Sequence, residues 1–150
     1  MSSTDKPRIV TGVTALDDAR LRLVWSDGTT ADIDLATALK SKAFAPLRDA
    51  ATFATVQIGD WGHSLEWAGG IEMGADALWL ETLSATGRDD VRQFLEWRLH
   101  NGLSLAKAAE ALGISRRSVA YYSNGERTIP RAILLACKGW EVSPEFRRAA

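Results

Sequence analysis

Two adjacent arginines, Arg116 and Arg117, stand between two hydroxyl residues in the run Ser115-Arg-Arg-Ser118, with Tyr121 and Asn124 following at helical spacing. These residue types suit a polyanion that displays hydrogen-bonding edges. A guanidinium fork matches the O6 and N7 acceptors of guanine, and one such pair discriminates by roughly 1–3 kcal/mol. The same fork binds a phosphate. The hydroxyls of Ser115 and Ser118 donate to phosphate or base, although Ser115 also suits a helix cap. Tyr121, one turn along, either touches a thymine methyl or a sugar, or packs against a partner. Asn124 either contacts a nucleic-acid backbone or closes the helix. Ser104, Lys107, Arg127 and Arg131 are further phosphate candidates. The helix opened by Ser104 presents free N–H groups that hold a phosphate.

Catalytic patterns are sparse. His63 lies near Asp60 and Glu66, but on a strand residues 60, 62, 64 and 66 share one face and His63 takes the other. His100, the other histidine, belongs to a different part of the chain. No residues have zinc-ligand spacing, and there is no glycine-rich nucleotide loop. The expectation is a non-enzyme without catalytic residues, cofactor or metal. The single cysteine, Cys137, forms no internal disulfide and reads as a buried helix residue within an apolar run.

The arginines need a helix to display them. Leu105, Ala108, Ala109 and Leu112 recur at i, i+3, i+4 and i+7, one face of a helix that Ser104 caps. Gly113 supplies the turn, and Ile114 fills the space between helices. Ser115 caps a second helix, whose buried face continues through Val119 and Tyr122. Asn124-Gly125 ends it through left-handed backbone angles. This plan places the start of a second helix in a DNA major groove; an ordinary αα-hairpin is the alternative. The segment resembles the phage-repressor (Xre-type) helix-turn-helix. It departs from that pattern at Leu105, where a glutamine is usual, so one phosphate bridge implied by the resemblance is missing. Around it, Asp89–Asn101 reads as a helix with Val91, Phe94 and Leu95 inward. Pro130 opens another that runs to about Lys138, and Ser143-Pro144 starts a last turn.

Upstream the periodicity changes. Arg8–Leu16, Arg20–Trp25 and Thr29–Ile33 read as strands of an antiparallel meander, with Asp27-Gly28 as a hairpin turn. A short helix over Ala36–Lys40 has Asp34 as its cap, and Phe44–Asp49 forms a helical turn. Phe53–Ile58 and Gly62–Trp67 read as strands, Gly69-Gly70 as a break, and Gly74–Leu83 as a helix. The residues Leu23-Val-Trp-Ser-Asp-Gly28, Asp34-Leu35, Phe44-Ala-Pro-Leu-Arg-Asp49, Phe53 and Gly62-His-Ser-Leu-Glu-Trp67 resemble the domain-of-unknown-function family numbered 2442. The likeness spans about residues 8–83 and extends to Ile71 and Asp76-Ala-Leu78. It implies a small α+β fold with an antiparallel sheet and, from its members, a place in toxin–antitoxin or regulatory gene pairs.

The net charge of -1 over 150 residues conceals a division. Residues 1–87 hold 7 basic and 12 acidic side chains, a balance of -5; residues 88–150 hold 11 and 7, a balance of +4. The basic half carries the helix-turn-helix, the asymmetry expected of a DNA-binding module. The change of sign at Ser84–Arg88 marks a boundary between domains 1–86 and 87–150. The expected fold is an α+β domain, an antiparallel sheet with two or three short helices, then an all-α, lambda-repressor-like domain of four or five helices. Four of the six tryptophans precede the boundary and read as core or as an aromatic patch for a partner; Trp97 and Trp140 are expected to face the first domain or a second subunit. No apolar run reaches membrane-spanning length, and the first ten residues lack a signal-peptide core, so a cytoplasmic protein without a membrane partner is expected. The expected partner is double-stranded DNA, bound by a homodimer on half-sites about 34 Å apart as a transcriptional regulator or antitoxin-like autorepressor. The first domain would dimerise, sense a small ligand or hold a toxin-like protein. The rival function is a protein-interaction or ligand-sensing module whose helix-turn-helix does not bind DNA.

Overall fold

The computed structural model describes residues 8–149, which fall into two compact units divided between Gly87 and Arg88. In the first unit, strands β1 (Val10–Ala15), β2 (Arg20–Trp25) and β3 (Thr30–Asp34) form an antiparallel sheet in that order. The alternation in β2 decides which side is core: Leu21, Leu23 and Trp25 are buried while Arg20, Arg22 and Val24 face out. Arg22 meets Asp32 across the ladder, Nε to Oδ1 at 2.8 Å.

Asp34 accepts a hydrogen bond from the Ala36 N–H at 2.8 Å, so it stabilises the turn rather than capping the helix. The helix proper is a 3-10 turn, Ala38–Lys40, followed by a second 3-10 segment over Lys42–Arg48. The expected strand Phe53–Ile58 is largely replaced. Asp49 accepts from the Thr52 N–H (3.0 Å) and hydroxyl (2.9 Å), which closes one α turn, α1 (Ala50–Phe53). Phe53 is buried and its carbonyl accepts the Trp67 indole N–H at 3.1 Å. Only Gln57–Gly59 remains extended, as β4.

With β5 (Ser64–Trp67) and β6 (Ile71–Gly74), β4 makes a second three-stranded antiparallel sheet. Strand β6 has no counterpart among the sequence expectations, because Gly69 and Gly70 turn a hairpin (φ 91° and 77°) instead of ending a strand. Residues 60–62 form a 3-10 turn, and His63 caps it, so the strand-face argument for Asp60 and His63 does not apply. Gly62 has φ 92°, and a Cβ there would lie 2.7 Å from the Val10 carbonyl oxygen, so only glycine fits. Helix α2 (Ala75–Ala85) buries Leu78, Trp79, Thr82 and Leu83. The Trp25 indole donates to Thr82 at 3.0 Å and meets Trp79 edge to face at 5.1 Å. Trp61 alone among the four tryptophans of this unit lies outside, 93% exposed.

The second unit is all helical: α3 (Asp89–His100), α4 (Leu105–Leu112), α5 (Arg116–Ser123), α6 (Arg131–Val142) and α7 (Pro144–Ala149). Helix α6 runs a turn beyond the expected Lys138. Trp97 and Trp140 do not turn outward. They are 5% and 7% exposed and pack edge to face at 5.6 Å. The reason is that α3 packs on both α5 and α6, so its buried face widens to Val91, Phe94, Trp97 and Arg98. Cys137 is buried, and desolvation followed by the nearby Glu141 charge pushes its thiol up to about 12.

Candidate nucleic-acid interface

The helical hairpin is closed by the same device twice. At the end of α4 the Ile114 N–H bonds to the Ala109 carbonyl (3.1 Å) and the Gly113 N–H to that of Glu110 (3.4 Å), with Gly113 at φ 68°. At the end of α5 Glu126 bonds to Tyr121 (2.9 Å) and Gly125 to Tyr122 (3.2 Å), with Gly125 at φ 73°. Both are Schellman closures built on a left-handed glycine. Asn124 itself sits at φ -91°, so it takes no left-handed angle; it is the C-cap of α5.

Helix α5 buries Val119, Ala120 and Ser123 and leaves Arg116 and Arg117 exposed. Ser115 accepts from the Ser118 N–H and donates to its hydroxyl, both at 3.0 Å, so these two serines satisfy each other at the helix start. Arg117 Nε donates to the Tyr121 hydroxyl at 2.8 Å, and its guanidinium carbon lies 5.5 Å from the ring centroid. Arg127 comes closer, 4.0 Å from the same centroid. Two cations thus share one aromatic ring, an arrangement that costs mutual repulsion and is relieved by an anion. Among the described residues the Arg116 side chain makes no hydrogen bond or ion pair. Ser104 caps α4 by accepting from the Lys107 N–H at 3.1 Å, and the Lys107 ammonium lies 3.6 Å from Glu110, both exposed. Arg131 opens α6 on the surface. The structure therefore joins Arg117, Tyr121 and Arg127 in one stack, pairs Ser115 with Ser118 and Ser104 with Lys107, and leaves Arg116 without a partner among the described residues.

Two arginines missing from the sequence candidates hold this surface in place. Arg88 donates through Nη1 to the Gly125 carbonyl (2.9 Å) and through Nη2 to the Arg127 carbonyl (3.1 Å). Its Nε lies 3.2 Å from Asp90, and Asp90 accepts the Ile129 N–H at 3.0 Å. The loop after α5 is thereby stapled to the start of α3, and with it the segment bearing Arg127. Partial burial opposes ionisation of Asp90, but the bonds from Arg88 and from the Ile129 and Val91 N–H groups prevail and hold its carboxyl below the usual range. Arg98, 5% exposed, donates to the Leu103 carbonyl (3.0 Å) and the Ser123 hydroxyl (2.8 Å), fixing the far end of α5. Its position seven residues after Val91, on the buried stripe, was the available sequence signal; Arg88 lay within the expected boundary and carried none.

Among the described residues no group of three His, Cys, Asp or Glu side chains is placed to hold a metal ion, and no helix is long and apolar enough to cross a membrane. Residues 10–82 match the family described as protein of unknown function, DUF2442, and residues 95–137 match the helix-turn-helix family. Among curated proteins none matches significantly. A crystal structure of a candidate DNA-binding protein from Nitrosomonas europaea is similar over 92% of this chain and 89% of that one, with 41% identity and a TM-score of 0.70. The chain belongs to the same family as that protein, with a DUF2442 region followed by an Xre-type helix-turn-helix region.

Proposed function

We propose that this protein is a cytoplasmic, sequence-specific DNA-binding regulator of transcription, of the autorepressor kind found with antitoxins, and that it is not an enzyme. The observation that carries the reading is the start of α5, where Arg116 has no partner among the described residues and Arg117 and Arg127 are poised on Tyr121. In this reading Arg116 and Arg117 meet base edges, while Ser104, Lys107, Arg127 and the Ser115–Ser118 pair meet phosphates. Tyr121 supports the arginines, and Asn124 lies beside the backbone. The similar protein from Nitrosomonas europaea supports the DNA partner by its description. One such module buries limited surface, so a homodimer reading two half-sites supplies the specificity.

The two compact units act as separate domains in this reading, 1–86 for dimerisation or partner contact and 87–150 for DNA. A second reading, a protein-interaction module, is favoured by Trp61, a large apolar side chain 93% exposed at a left-handed backbone position (φ 56°). The double variant Arg116→Ala/Arg117→Ala separates them. The DNA reading expects affinity for the selected duplex to fall at least about tenfold, with an unchanged thermal melt. Unchanged affinity in a folded variant refutes the assignment of α5.

A further inference from the structure

The sheet unit has a half-open cavity of about 650 Å³ between the β1–β2 turn and the 3-10 segments that lead to α1. That volume lies within the range of small-molecule sites, roughly 300–1,000 Å³. Leu39, Leu47 and Phe53, all buried, supply an apolar wall. Asp17, Asp18 and Lys40 also line it. Elsewhere on this unit some neighbouring opposite charges pair, as Arg22 does with Asp32 at 2.8 Å and Arg8 with Asp27 at 3.7 Å. Around the cavity they do not: among the described residues Asp17, Asp18 and Lys40 form no ion pair. Arg48, the other lining cation, is already bonded to the carbonyls of Leu39 (2.7 Å) and Lys40 (2.9 Å), which fixes the segment that carries Lys40.

The opposite wall is strained. Asp18 and Ala19 have φ of 60° and 61°, angles normally left to glycine, and both line the cavity. Three bonds hold them there: Leu16 N–H to the Arg20 carbonyl (2.8 Å), Leu35 N–H to the Ala19 carbonyl (2.9 Å), and Arg20 Nε to the Asp17 carbonyl (3.2 Å). Backbone strain fixed by its surroundings clusters at ligand sites.

We propose that this cavity binds a small zwitterion with an apolar body, its ammonium toward Asp17 and Asp18 and its carboxylate toward Lys40. Charges of both signs line one space without reaching each other, so a ligand bearing both satisfies both. A lone cation or a lone anion leaves one side unmet. Two carboxylates without a third ligand do not make a metal site. The space has room for an apolar dipeptide. This inference does not depend on nucleic-acid binding.

Calorimetric titration of the full chain with leucyl-phenylalanine, with its N-acetyl form and with its C-amide form tests it. The free dipeptide is expected to bind, and each blocked form to bind at least about tenfold more weakly. Asp17→Asn/Asp18→Asn is expected to weaken the free dipeptide about tenfold and to leave the N-acetyl form unaffected, and Lys40→Met to do so for the free dipeptide and not for the C-amide. These side chains are exposed, so the variants should melt as the parent does. No binding of the dipeptide up to about 10 mM, or equal binding of the blocked forms, overturns the proposal.

Discussion

Around α5 the guanidiniums of Arg88, Arg98, Arg117 and Arg127 are tied to neighbouring groups, whereas around the cavity of the sheet unit no ion pair joins Lys40 to Asp17 or Asp18. Arg88 and Arg98 use their guanidiniums on carbonyls and a serine hydroxyl, and so position Arg127 and the end of α5. The difference fits the size of the expected ligand. A duplex is a rigid array of phosphates, so cations fixed in advance lose less freedom on contact. A small molecule brings its own charges into a cavity, where unpaired side chains can close on it.

The largest perturbation should fall on one side of that comparison only. Trp25→Ala removes the centre of the sheet unit and its bond to Thr82, and should cost about 3–5 kcal/mol. Urea unfolding followed by circular dichroism should then show the strand-rich unit melting first, with the helical signal retained. Simultaneous loss of both signals would contradict the independence of the units. Next, Arg88→Ala cuts the staple on Gly125 and Arg127. Helical-unit stability should fall by about 2 kcal/mol, and DNA affinity should fall with it, although Arg88 is not assigned a DNA contact. Retained affinity would show that Arg127 needs no positioning.

Smaller effects sharpen the contrast. Ala19→Gly relieves a left-handed alanine and should raise sheet-unit stability by up to about 1 kcal/mol in thermal melts, while loosening the cavity wall. Least of all, Asp90 makes the helical unit sensitive to acid. Its folded pKa lies below the unfolded value, so its contribution is complete above about pH 4 and disappears as pH falls through the folded pKa. Asp90→Asn should flatten that part of a stability–pH curve; an unchanged curve would remove Asp90 from the staple.

Much of the helical unit was legible because its signals are local. Ser104 and Ser115 cap within three residues, Gly113 and Gly125 close helices within five, and the apolar faces follow a single period. What sequence reasoning missed is non-local. Arg88 acts on residues 125 and 127, and nothing in its neighbourhood announces this. Trp97 is buried beside Val91 and Phe94 because α3 packs on two helices, and a face drawn for one neighbour does not reach it. In the sheet unit β2 was plain from its alternation. Phe53 misled because an aromatic residue suits a strand, yet the Asp49 cap decides for a helix turn. Strand β6 is four residues long and follows two glycines, too little for period two to register. The cavity is assembled from the β1–β2 turn, the 3-10 segments and α1, so no single stretch of sequence contains it.

Whether α5 reads duplex DNA is decided by fluorescence anisotropy of the full chain with labelled duplexes from upstream of its own gene. At about 50 and about 200 mM salt the protein should bind one duplex selectively over its scrambled version, about 100-fold more weakly at the higher salt because less is gained from counterion release. Binding no better than to the scrambled duplex at either salt, or binding indifferent to salt, would contradict it.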